Sequence, residues 1–178
     1  MAATYTPIAS TTLATTAASV TFSAIPATYT DLVLKWSGRS NAAGAGYQNV
    51  KVTLNGLTSG TLTSQTWLQN LAGSASSNRW STAYPGYFWW EFNTTSAGWT
   101  SNTFDSYEMY LPNYLSSTAK PSSLFGAAEN NATSPYWLIA SANLTSSTSA
   151  ISSIEVAVTS GNSFIANSSF HLYGIKNS

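Results

Sequence analysis

The chain has 178 residues, a formal net charge of zero and only 7% charged side chains, against about 25% in ordinary soluble domains. Six Lys and Arg residues argue against nucleic acid, whose phosphates demand clustered cations, and against anionic membrane surfaces. The absence of cysteine excludes disulfides and thiolate metal sites.

A chain of this length fits one domain, and such a domain hides roughly 70% of its unfolded surface. Its polar surface must come from Ser, Thr, Asn and Gln, which solubilise without long-range fields. So few charges give little electrostatic protection against self-association, which implies tolerance of, or need for, permanent neighbours. The opening Met1-Ala2-Ala3-Thr4-Tyr5-Thr6-Pro7 lacks the basic and apolar regions of a signal peptide, and no apolar run approaches a membrane span. The expectation is synthesis in a cytosol without membrane insertion. Sequons at Asn93, Asn131, Asn143 and Asn167 are then chance matches in a chain rich in Asn, Ser and Thr.

The dominant period along the chain is two. Val20 and Phe22 alternate with Ser19, Thr21 and Ser23. From Asp31 to Arg39, Leu32, Leu34 and Trp36 oppose Asp31, Lys35, Ser37 and Arg39. From Tyr47 to Asn55, Val50, Val52 and Leu54 oppose Asn49, Lys51 and Thr53. Each pattern predicts a half-buried antiparallel strand. Turn chemistry separates them at Ala24-Ile25-Pro26, at 38–44 and at Asn55-Gly56. Residues Thr58 to Ala83 read as a long irregular surface excursion holding at most one short strand. Near the end, Ile154, Val156 and Val158 oppose Ser153, Glu155 and Thr159, followed by a Ser160-Gly161-Asn162 turn. No segment carries a 3.6-residue period with caps, and abundant Ser and Thr disfavour helix. About eight to ten strands at this spacing predict an all-β, antiparallel, jelly-roll-like β-sandwich over residues 1–178.

Half of the aromatic residues fall between Trp80 and Tyr114. In the run 87–92, Phe88, Trp90 and Phe92 share one strand face, and Tyr87, Trp89 and Glu91 the other. The next strand, Phe104 to Leu111, turns Tyr107, Met109 and Leu111 inward and Phe104, Glu108 and Tyr110 outward. Two aromatic faces require two apolar neighbours, which predicts a central strand packed on both sides or a protomer interface. The alternative is carbohydrate binding, with Tyr87, Trp89 and Tyr110 as stacking platforms.

Catalysis has little raw material. His171 is the only histidine and there are two aspartates, so a zinc site or a Ser-His-Asp triad is not expected. No nucleophile-elbow pattern surrounds a serine, and no phosphate-cradling glycine loop is present. Glu91 and Glu108, if on adjacent strands, are the one pair to weigh as glycosidase carboxylates. No catalytic residue, metal or cofactor is assigned.

Three N-terminal segments, residues 5–13, 19–26 and 29–34, together resemble the opening of a group of small tailed-bacteriophage virion proteins. Ser169-Phe170-His171-Leu172-Tyr173-Gly174-Ile175-Lys176 is similar to the closing strand of the same group. The likeness covers roughly the first 55 and last 30 residues of the chain, and the Trp-rich middle follows no pattern of the group. It implies a jelly-roll head decoration (cement) protein or a tail or fibre component, located on the particle surface. The expectation is a decoration protein, a homotrimer, docked on the major capsid protein through Tyr87, Trp89, Trp99, Phe104 and Tyr110. The alternative is a tail-fibre or receptor-binding module that recognises host surface polysaccharide.

Overall fold

The computed structural model describes residues 4–43, 48–57, 62–71, 74–83, 89–128, 136–145 and 148–176. Where the sequence alternates, the chain extends. The strands are β1 (Tyr5–Thr12), β2 (Ser19–Phe22), β3 (Asp31–Ser37), β4 (Gln48–Leu54), β5 (Leu62–Leu71), β6 (Ser74–Ala83), β7 (Trp89–Thr94), β8 (Ser106–Leu111), β9 (Lys120–Ala127), β10 (Tyr136–Thr145), β11 (Ile154–Val158) and β12 (Ser169–Ile175). No helix interrupts them among the described residues.

These strands form two antiparallel sheets. One has the order β1-β12-β3-β8-β9-β10-β5-β6, the other β2-β11-β4-β7. Set aside β5, β6, β9 and β10, and the remainder is β1-β12-β3-β8 facing β2-β11-β4-β7. That is the strand order of a jelly roll, two four-stranded sheets joined by Greek-key connections. The four other strands are two insertions, one between β4 and β7 and one between β8 and β11. Both add to the same sheet beyond β8, because β9 pairs with β8, β10 with β9, and β5 with β10.

The core lies between the sheets. Leu32, Leu34, Trp36, Met109, Phe170 and Leu172 enter it from the larger sheet. Val20, Phe22, Val50, Val52, Leu54, Ile154 and Val156 enter from the smaller one. Burying such a side chain fully stabilises by about 1.5–3 kcal/mol. Ile25, Trp99, Tyr114, Ile151 and Phe164 close the core from the connections. The Asn55-Gly56 turn forms as its sequence demands: both residues have positive φ, 52° and 62°, and Leu57 N–H donates to Leu54 C=O at 3.1 Å. Two successive positive φ values are the type I′ geometry that Asn-Gly supplies with least strain.

The structure corrects four sequence expectations. There are twelve strands among the described residues, not eight to ten. The stretch 58–83 contains a hairpin of two ten-residue strands, β5 and β6, in unbroken register from Leu62↔Ala83 to Leu71↔Ser74. Its sequence hides this because polar residues occupy both parities of each strand, so no apolar alternation marks it. The aromatic strand β7 is not central: it ends the order of the four-stranded sheet, paired with β4 alone. Tyr47, Tyr87 and Phe88 lie outside the described residues.

The fourth correction is Arg39, expected on the polar face but only 5% exposed. Its guanidinium donates to the carbonyls of Thr100, Thr103, Ala97 and Trp99 at 2.7–3.2 Å, and to Thr103 Oγ1 at 3.1 Å. A planar fork with five N–H donors suits such an array of oxygens. Burial lowers its pKa from the ordinary value. Arg39 thereby ties the β7–β8 connection to the end of β3. Beside it, Asp105 is 1% exposed and accepts from Gly38 N–H at 2.5 Å. Burial pushes its carboxyl up to about 8, and the hydrogen bond from Gly38 N–H only partly opposes that.

A candidate interaction surface on the outer sheet face

The outward side of the eight-stranded sheet is a set of cross-strand rows. Because strand side chains alternate, every second residue of each strand stands on this side. One row runs Ser10, His171, Lys35, Glu108, Phe125, each directly opposite the next. The row on one side of it is small: Ser169 opposite Ser37, then Ser106 opposite Ala127. The row on the other side runs Tyr173, Val33, Tyr110, Ser123.

The tall side chains brace one another. Lys35 Nζ lies 2.8 Å from Glu108 Oε2, with both side chains nearly half exposed. An exposed pair of this kind contributes up to about 1 kcal/mol. The hydrogen bond to Glu108 raises the Lys35 pKa, against a smaller effect of partial burial. The same ammonium sits 5.8 Å from the Tyr5 ring centroid. Tyr5 meets Tyr173 edge-on at 6.2 Å, and Tyr173 stacks with His171 at 6.5 Å. On the far side, Tyr110 donates its hydroxyl to Asp31 Oδ2 at 2.8 Å, and Asn113 N–H donates to Asp31 Oδ1 at 2.9 Å. Burial, then the bond to Asp31, pushes the Tyr110 hydroxyl up to about 12. Flanked by Tyr173 and Tyr110, outward-facing Val33 is 1% exposed.

Where the small row meets the tall one, the surface steps down into an open trough of about 470 Å³. Its floor carries Ser37, Ser106, Ala127 and Ser169, and its wall His171, Lys35, Glu108 and Phe125. The Phe125 ring is 59% exposed, while its neighbour Leu124 is buried in the core. The trough presents hydroxyls, one ion pair, an imidazole and an exposed phenyl side chain.

Of the predicted contact residues that the structure describes, Tyr110 alone belongs to this surface. Tyr87 lies outside the described residues. Trp89 falls in β7, opposite Val52 at the edge of the smaller sheet. Phe104 is half-buried in the connection before β8. Trp99 is a correction: at 6% exposure it is a core residue. Its N–H closes a turn onto Ser96 C=O, and Arg39 holds its carbonyl, so the connection carries it inward. Glu91 and Glu108 are not on adjacent strands either. β7 and β8 belong to different sheets, and Glu108 points away from the core toward Lys35. Among the described residues, no group of three or more His, Asp or Glu side chains could hold a metal ion.

The residues that sequence reading missed are Tyr5, Phe125, His171 and Tyr173. Alternation in Phe170-His171-Leu172-Tyr173 already set His171 and Tyr173 on one side. Their meeting with Lys35 and Phe125 depends on cross-strand register, which no single strand encodes. Comparisons of the chain with family models, with curated proteins and with solved structures find no match.

Proposed function

We propose that this chain is a structural protein of a tailed-phage particle, a decoration (cement) protein that docks on the major capsid protein as a homotrimer. The observation that carries the reading is where the phage-like segments fall. Residues 5–13, 19–26, 29–34 and 169–176 hold β1, β2, the first half of β3 and β12, and β1, β12 and β3 are contiguous in the larger sheet. The resemblance therefore lies on the jelly-roll frame, and the inserted hairpins lie outside it. A frame with a variable insertion is a natural way to keep a fold while changing the partner, although fold alone dictates no function.

The composition supports contact rather than charge steering. With six basic and six acidic residues, little of the attachment energy is open to salt screening. Many copies on a lattice, each with modest footholds, hold through effective concentration. Quantitative mass spectrometry of purified particles tests the reading. Hundreds of copies per particle are expected. A few dozen or fewer would favour a tail-fibre or receptor-binding module for host polysaccharide instead. Absence from the particle would overturn both.

A further inference from the structure

The geometry points to a saccharide site: we propose that the trough on the outer face of the eight-stranded sheet binds a neutral oligosaccharide. This goes beyond the decoration reading and stands on the outer-face geometry whether the chain sits on head or tail.

Three features select that ligand class. First, Phe125 offers an open phenyl face at 59% exposure, on a strand whose alternate residues Ser122 and Leu124 are buried. An aromatic face held by a rigid sheet suits the C–H face of a sugar ring, and binding would remove that apolar area from water. Second, the polar wall is electrically balanced. Lys35 and Glu108 are paired at 2.8 Å, which sets a donor and an acceptor side by side, suited to neighbouring hydroxyls. An anionic ligand gains from Lys35 and loses to Glu108, so neutrality is favoured. Third, the trough is held in shape before any ligand arrives. His171 stacks on Tyr173, Tyr173 on Tyr5, and Tyr5 lies under the Lys35 ammonium. Pre-organised walls reduce the ordering cost of binding.

The shape agrees. His171, Lys35, Glu108 and Phe125 occupy consecutive strands in one row, a span of roughly 14 Å at ordinary strand spacing. That accommodates a short oligosaccharide laid across the strands, over hydroxyls of Ser169, Ser37 and Ser106. A mostly apolar protein partner would meet an ion pair, an imidazole and three hydroxyls here, a poor match for a dry contact.

The test uses the full chain and an array of neutral and acidic glycans, followed by titration of retained glycans by NMR. His171 is the single histidine, so its ring protons are an unambiguous reporter inside the trough. The expected result is retention of at least one neutral glycan, with titration moving the His171 resonances. Phe125→Ala and Glu108→Gln should each weaken that binding by about tenfold or more. Both positions are exposed, so the thermal midpoint should scarcely move, and Leu115→Ala, another exposed apolar residue, should bind like the parent. Retention of no neutral glycan would overturn the proposal. So would preference for acidic glycans, binding that leaves His171 unmoved, or binding indifferent to Phe125→Ala.

Discussion

Tyr107 reaches the core only because the residue opposite it has no side chain. Gly126 is its direct partner across β8 and β9, and a Cβ placed there would lie 2.1 Å from Tyr107 Cδ1 and 2.5 Å from the Ser106 carbonyl. Tyr107 in turn stacks on Trp36 at 5.2 Å. Gly126→Ala should therefore displace the ring and lower unfolding stability by about 1–3 kcal/mol, read as a shifted denaturant midpoint at unchanged slope. Asp105 gives a second residue-scale prediction, this one in pH. Its folded pKa of about 8 stands above the ordinary 3.8, so the folded state keeps a proton that the unfolded state has lost. Stability should fall as pH rises through that window, at up to about 1.4 kcal/mol per pH unit, and level off above it. Asp105→Asn keeps the site neutral. Its stability relative to the parent should rise from pH 4 to pH 8 and then become constant; a pH-independent difference in urea unfolding would contradict the assignment.

At the scale of elements, the β7–β8 connection hangs on one side chain. Arg39→Met removes the donors to four carbonyls and leaves those oxygens buried without the partner they had. The cost should be about 3 kcal/mol or more, with faster hydrogen exchange at the Ser40 and Trp99 amides, which bond to Thr95 and Ser96. Arg39→Lys should recover only part, since an ammonium offers three donors and no planar fork. The β5–β6 hairpin is the opposite case. Val52 pairs with Trp89, so the ends left by excising that hairpin already lie side by side. Joining β4 to β7 by a short turn should leave a folded, cooperative domain with a smaller denaturant slope, because the frame strands keep their partners. Loss of cooperative unfolding would show that the hairpin is integral to the frame. The contrast explains what the sequence made legible. Strands with one apolar parity, such as Ser19-Val20-Thr21-Phe22, announce both their extension and their buried side. The hairpin strands carry no such parity, and their pairing with each other and with β10 is a matter of register. Alternation alone puts Arg39 on the polar face, while the acceptors that draw the guanidinium inward come from a connection some 60 residues away. The candidate surface was missed for a similar reason: its tall row draws one residue from each of four strands, and chain order does not reveal that they align.

At the scale of the whole molecule, a charge-poor jelly roll widened on one side offers contact with few fixed charges. Attachment that rests on such contact should change little between low and moderate ionic strength. Pelleting particles after washes at increasing salt checks this, and release by moderate salt alone would argue for a charge-steered interface. The most direct test of contact-based docking on the head is a reconstruction of the intact particle at a resolution that resolves β-sheets. The proposed decoration role predicts the two-sheet fold, with its eight-stranded sheet, repeated in trimers at lattice positions on the outside of the capsid shell. Finding the fold only in the tail, or nowhere in the particle, would contradict it.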